Sequence, residues 1–210
     1  MSRVWDRFRP GDLDRLVPEL ERAAAQGWIG SVPRGIVNAR FLCSLWPPPP
    51  RDGSLRVVDL GSGGGLPALP ALVLRPDAEI LLVERNGPRA AFLALALDRL
   101  GLSGQGRVVQ DDALDDEVRA QRFDVVSARA FGPVAVTAAV ACQLASPGTV
   151  LVTSAPCSEE LPREGAFGFR AWERAAQAGM CAQRARFQGP TPAARSVTAI
   201  RRSVRERGST

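Results

Sequence analysis

A chain of 210 residues with 45% hydrophobic residues can bury a full core, which excludes disorder as its overall state and suits one domain with small additions. Its 27 basic against 22 acidic residues give a net charge of +5 and a pI near 10.1, a balance that fits a polyanionic partner such as nucleic acid and equally fits ordinary solubility. Every basic residue is arginine, and lysine, histidine and tyrosine are absent, which removes most of the usual acid, base and nucleophile side chains.

The N-terminal stretch "MSRVWDRFRPGDLDRL" carries charges throughout and no apolar core of signal-peptide length. No later apolar run reaches membrane-spanning length without charge or proline, so a cytoplasmic protein without a membrane partner is expected. "DLDRLVPELERAAAQ", from Asp12, has an N-cap candidate, helical spacing of its apolar residues and Gly27 as a stop. A second helix is predicted over Ile36 to Leu45. It is closed by "WPPPPRDGS", whose four prolines cannot continue a helix and form a stiff spacer. These features divide the chain into an N-terminal helical cap with its spacer (1–50), a main α/β domain (51–204) and a flexible tail (205–210).

From Leu55 the pattern becomes short apolar runs alternating with helix-like stretches. "LRVVDL", "AEILLVE", "GRVVQ", "FDVVSA" and "TVLVTS" read as strands buried on both faces, with "RAAFLALALDRLG" and "VAVTAAVACQLA" as helices between them. This alternation predicts a mostly parallel sheet covered on both sides. After Pro156, "AWERAAQAG" reads as a helix, and "CAQRARF" and "RSVTAIRR" as an antiparallel hairpin at the sheet edge. Cys43, Cys142, Cys157 and Cys181 lie far apart, with no C-x-x-C pair and no histidine. They read as small buried thiols, so no metal site is expected.

In an open parallel sheet, ligands sit beyond the carboxyl ends of the strands, which makes the turn "VVDLGSGGGLP" after the first strand a binding candidate. A phosphate-cradling P-loop requires a lysine, and there is none. A dinucleotide fingerprint requires glycine where Leu66 stands, and Asp59 would repel its pyrophosphate. A cationic ligand without phosphate reverses that objection: Asp59, just before Gly61, Gly63 and Gly65, attracts the sulfonium and amino groups of S-adenosylmethionine. Glu84 ends the second strand about twenty positions after the first glycine, where nucleoside-binding sheets hold a carboxylate for the ribose hydroxyls. Asp112 and Ala113, after the third strand, are candidates for the adenine edge.

"VVDLGSGGGLPALPALVLRPDAEILLVERNGPRAAFLALALDRLGL" and "FDVVSARAF" resemble the RsmG (glucose-inhibited division protein B) family, which methylates N7 of a guanine in small-subunit ribosomal RNA. The resemblance runs from Asn38 to Thr153, and "ARSVTAIRR" looks like the family's closing strand. It implies a Rossmann-like class I methyltransferase fold dependent on S-adenosylmethionine, with 16S ribosomal RNA or the immature small subunit as partner; the chain is expected to be a monomer. It further implies that Gly61 and Leu66 contact the donor, that Ala113 and Leu114 pack on its adenine, and that Arg129 lies at the donor or substrate pocket. The chain departs from the family pattern at Arg40 and Cys43, where a histidine and an aspartate are usual, at Pro88 and Ser154-Ala155, which stand for lysine and Lys-Gly, and at Asp112-Ala113-Leu114, which stand for Arg-x-Glu.

Those departures strike basic and polar contacts and leave the donor turn intact. Two alternatives therefore remain open: methylation of a small molecule or another RNA, and a non-catalytic relative that binds donor or RNA. The absence of histidine does not argue against N7 methylation, because guanine N7 offers a lone pair and loses no proton.

Overall fold

A computed structural model describes residues 10–177 and 179–189. After a 3-10 segment at Pro10–Leu16 come α1 (Val17–Ala25) and α2 (Val32–Ser44). The chain then runs β1 (Leu55–Leu60), α3 (Ala68–Leu74), β2 (Ala78–Val83), α4 (Gly87–Leu100), β3 (Gly106–Val109), α5 (Asp116–Arg119), β4 (Phe123–Arg129), α6 (Val134–Ala141), β5 (Ala145–Ala155), β6 (Phe169–Gln177) and β7 (Met180–Phe187). Asp12 is not the N-cap expected of the first helix: it lies in the 3-10 segment, and α1 opens at Val17 with no side-chain cap on Leu16. The Asn86 side chain accepts the N–H of Arg89 at 3.1 Å to open α4, and Gly101, at φ 69°, closes it.

The seven strands lie in the order β3-β2-β1-β4-β5-β7-β6. β1 to β5 are mutually parallel, and β7 runs antiparallel to both neighbours. Alternate residues of each strand face opposite layers. Val57, Ile80, Leu82, Val125 and Val150 join α1 to α4 in one apolar cluster. Val58, Leu60, Leu81, Val126 and Leu151 join α5 and α6 in the other.

The helical cap shares the first of these clusters, with Leu20, Ala23, Phe41 and Leu42 buried against α3 and α4. The proline spacer is tied down by Arg75, which is 3% exposed. Its guanidinium bonds Asp77 at 2.8 and 2.7 Å and the Pro47 carbonyl at 3.0 Å, and lies over the Trp46 ring at 5.8 Å.

Two expectations are corrected. The segment "AWERAAQ" is strand β6 rather than a helix: its helix-favouring residues are overridden by pairing with β7, where Ala175 faces Ala182 and Ala176 faces Cys181. The edge hairpin is accordingly β6–β7, whereas "RSVTAIRR" and the tail lie outside the described residues. Cys157 and Cys181 form a disulfide, with Cα atoms 5.2 Å apart, and only Cys43 and Cys142 are buried free thiols. The pairing of Ala155 with Cys181 across β5 and β7 brings the two cysteines together, and that proximity has no signature in their spacing.

Candidate active site

The glycine turn is folded onto the end of β2. Gly61 and Ser62 donate their N–H groups to the Val83 carbonyl at 2.9 and 3.1 Å. Gly63 donates to Oε2 of Glu84 at 2.8 Å, and Asn86 donates to Oε1 at 2.8 Å. Glu84, 5% exposed, thus braces the turn and its own loop at once.

The three predicted glycines differ in what surrounds them. All have positive φ, at 66°, 56° and 93° for Gly61, Gly63 and Gly65. A Cβ at Gly65 would meet Leu69 at 2.5 Å, whereas one at Gly63 would meet nothing nearer than a backbone oxygen at 3.8 Å. Gly63 therefore turns its open side to the space over the strand ends. Gly61 lies under the Phe131 ring, 3.1 Å from where its Cβ would stand. The Leu66 side chain is buried and packs against Gly35 of α2, so Leu66 offers a ligand its backbone only.

Asp59, at the end of β1, faces Ser127 of β4 in register. It is 1% exposed, and neither carboxylate oxygen has a hydrogen-bond partner. Burial pushes its pKa up to about 6; the nearby Ser62 and Ser127 hydroxyls and the Arg129 charge pull it back, and Glu84 raises it further. Ser127 Oγ and Arg129 Nε are likewise buried without a partner. Burial lowers the Arg129 pKa, and the Asp59 charge opposes that shift. Asp59 and Ser127 thus carry buried oxygens without a hydrogen bond beside the turn, and Arg129, whose charge reaches Asp59, has its Nε in the same state, an arrangement normally avoided in a protein interior.

The residues after β3 serve mainly local structure. Asp112 Oδ1 accepts the Leu114 N–H at 3.0 Å, closing an Asx turn. Ala113 and Leu114 are buried with Val83 and Val109, forming an apolar shelf at the ends of β2 and β3. Asp112 itself is half-buried.

Beyond β4 and β5 opens a cavity of about 460 Å³, lined by Asn38, Arg129, Ser154, Glu159 and Met180 among others, with the Cys157–Cys181 disulfide in its wall. Ala130, on its rim, has φ 54°, a conformation unfavourable for a residue with a Cβ. Its N–H donates to Ser154 Oγ at 3.3 Å. Glu159 reaches across to α6, where its Oε1 accepts the Val134 N–H. Of the positions that depart from the family pattern, Ser154 and Ala155 line this cavity, Pro88 and Arg40 are exposed, and Cys43 is fully buried, its thiol pKa pushed up by burial.

The fold thus gathers Asp59, Gly61, Gly63, Glu84 and Arg129 at one end of the sheet, with Ala113 beside them, and leaves the Leu66 and Leu114 side chains in the core. Sequence reasoning missed Ser127 and Glu159. Ser127 was legible as the register partner of Asp59 once the strands were paired, but Glu159 lies in an irregular loop without a local signal. Among the described residues there is no helix long and apolar enough to cross a membrane and no cluster of three or more metal-ligating side chains.

Comparison with known proteins agrees with this geometry. In solved structures, the chain is similar to cofactor-bound Rv0187 from MTB, with TM-score 0.61 and 18% identity over 88% of this chain and 94% of that one. It is also similar to an O-methyltransferase from Bacillus cereus in complex with SAH, with TM-score 0.59 and 16% identity over 87% and 94%. These likenesses establish the class I methyltransferase fold.

In sequence, it is 40% identical over 123 residues to a ribosomal RNA small subunit methyltransferase G of Stenotrophomonas maltophilia, covering 57% of this chain and 55% of the relative. The corresponding protein of Corynebacterium efficiens is 30% identical over 166 residues, covering 73% and 69%. The chain spans about half the length of the Stenotrophomonas relative. A model of the family described as rRNA small subunit methyltransferase G, also called GidB, matches residues 35–160. With its glycine turn, its strand-end acids and "ARAF" all inside that stretch, the chain belongs to the rRNA small subunit methyltransferase G family.

Proposed function

We propose that the chain is an S-adenosylmethionine-dependent methyltransferase acting on N7 of a guanine in 16S ribosomal RNA. The observation that carries this reading is the buried Asp59 carboxylate, which accepts no hydrogen bond and has the Arg129 charge near it, beside a glycine turn whose open side is at Gly63. A buried carboxylate that accepts no hydrogen bond fits a ligand carrying positive charge. The residues present therefore fit the donor: Asp59 for its amino group, Glu84 for the ribose hydroxyls, Ala113 for the adenine face, and Gly61, Gly63 and the Leu66 backbone along its length. Gly65 keeps the turn tight against α3.

When bound, S-adenosylmethionine supplies a methyl group on a sulfonium, set up for in-line displacement. The chain's own residues have three tasks: alignment, exclusion of water and placement of the base. Arg129, at the end of β4 between Asp59 and the cavity, is the group that orients donor and acceptor together. No side chain has to accept a proton, because guanine N7 attacks through its lone pair. N7 faces a groove closed to side chains in paired A-form RNA, so the target base must be unstacked or in partly assembled RNA. Exposed Arg34 and Arg40 on α2 supply positive charge near the turn, and binding to a ribosomal fragment should weaken steeply with salt.

A second reading, methyl transfer to a small molecule, is favoured by Pro88, Ser154 and Ala155, which replace basic or flexible residues of the family pattern. Mass spectrometry of guanine methylation in ribosomal RNA from a strain lacking the gene separates the two. Loss of one N7-methylguanine, restored by the purified protein with S-adenosylmethionine, supports the RNA reading. Unchanged ribosomal RNA in a protein that still binds the donor supports the small-molecule reading.

A further inference from the structure

We infer that the cavity beyond β4 and β5 is the pocket for an unstacked guanine, and that Glu159 is its specificity-determining residue. The inference rests on the proposed activity and adds the means by which the base would be chosen. The cavity, about 460 Å³, has room for a nucleoside and opens beside the cluster at Asp59, Ser127 and Arg129. Its two charged lining residues stand on different sides, with Asn38 and Ser154 as neutral polar groups. Arg129 stands on the side nearer Asp59, whose charge it feels. Glu159 stands on the α6 side, fixed by the bond from the Val134 N–H to Oε1, while its second oxygen makes no hydrogen bond among the described residues.

This polarity matches guanine. A carboxylate accepts from N1–H and the N2 amino group, which lie side by side on the Watson–Crick edge. O6 follows N1 on that edge, and N7 lies beyond it on the adjoining Hoogsteen edge, away from the N2 amino group. With its Watson–Crick edge against Glu159, the base turns N7 toward the strand ends of β1 and β4. Arg129 can then donate to O6 without touching the N7 lone pair. Adenine presents an unprotonated N1 to the same carboxylate and is repelled, hypoxanthine has N1–H but lacks the N2 amino group, and a pyrimidine has no N7. The fixed partner on α6 keeps the carboxylate from rotating away, which is what a base-reading group requires. Ala130, held in its unfavourable conformation by Ser154, shapes the rim between the two charged groups.

The test titrates guanosine, inosine and adenosine 5′-monophosphates into the full-length protein, followed by saturation-transfer NMR, on wild type and on Glu159→Gln. The amide retains an acceptor for the Val134 N–H, so the variant should fold with an unchanged melting temperature. It loses the charge and the second acceptor. Wild type is expected to prefer the guanine nucleotide to the hypoxanthine one by about tenfold, and Glu159→Gln to bind the two alike. Equal binding of the two by wild type, or an unchanged preference in Glu159→Gln, overturns the assignment. Calorimetry with S-adenosylhomocysteine on both proteins separates the two levels. Glu159-dependent guanine preference without donor binding removes the proposed activity and keeps the pocket; donor binding without guanine preference does the reverse.

Discussion

Glu84 and Gly63 are joined by a 2.8 Å hydrogen bond from the glycine N–H to the carboxylate, across the mouth of the candidate donor cleft. The acid at the end of β2 therefore sets the shape of the turn, and on the proposed reading it also offers its remaining lone pairs to a ribose. A glutamine at this position accepts through one oxygen and can satisfy Gly63 or Asn86 but not both. Glu84→Gln should weaken donor binding at least tenfold and cost about 1 kcal/mol of stability, read by calorimetry and thermal denaturation. Undiminished donor affinity would remove Glu84 from the donor site.

Asp59 links the site to pH. Its folded pKa, about 6, lies above the ordinary 3.8, so the folded protein holds this proton more tightly than the unfolded chain. Below 3.8 both states are protonated. As pH rises through the interval the unfolded state ionises first, so stability falls until the folded group has ionised near 6. Asp59→Asn should abolish this fall and leave the ligand-free protein about 3 kcal/mol more stable above pH 7. Donor affinity of wild type should rise with pH through about 6 and be accompanied by proton release. Calorimetry in buffers of different ionisation enthalpy measures that proton, and its absence would separate Asp59 from the donor's charge.

Two glycines of one turn should fail in different ways. Gly63→Ala meets open space and mainly incurs the positive-φ penalty, about 1 kcal/mol, while placing a methyl group where the donor is to lie. Gly65→Ala drives its methyl group into Leu69 and should cost several times more stability. Denaturation midpoints and donor titrations of the two variants give the comparison. Equal loss of stability in both would show that the two sites do not differ in this way.

Arg129 should matter more for turnover than for folding. Its Nε is buried without a partner, so its removal breaks no hydrogen bond at that atom. Arg129→Ala and Arg129→Lys should both lower methyl transfer at least tenfold, lysine because it cannot reproduce the planar fork, with little change in melting temperature below pH about 6, where Asp59 is protonated and does not draw on the Arg129 charge. Unfolding of the alanine variant would make the residue structural, and wild-type turnover would remove it from the site.

Much of this architecture was legible because its signals are local. The runs from Leu55, Ala78, Gly106 and Phe123 begin the observed strands, as buried parallel strands leave continuous apolar stretches. Asp59 and Glu84 were legible from their places relative to the glycines. What was not legible depends on pairing between distant segments. The Glu84–Gly63 bond, the Asp59–Ser127 register and the Cys157–Cys181 disulfide all arise from strand neighbours that spacing does not reveal. β6 was misread because an exposed edge strand needs little apolar alternation, and its alanine, glutamate and arginine favour a helix in isolation.

Gly35 and Gly64 leave no slack between the helical cap and the donor turn. A Cβ on Gly35 would stand 2.5 Å from Leu66, and one on Gly64 would stand 2.7 Å from Ile29. α2 cannot slide along the sheet without displacing Leu66, and the segment after α1 cannot lift away without uncovering Gly64. The cap is therefore packed as the back wall of the glycine turn rather than as a lid over it. A polyanion bound at the arginines of α2 would thus lie one side chain, Leu66, away from the turn proposed to hold the donor.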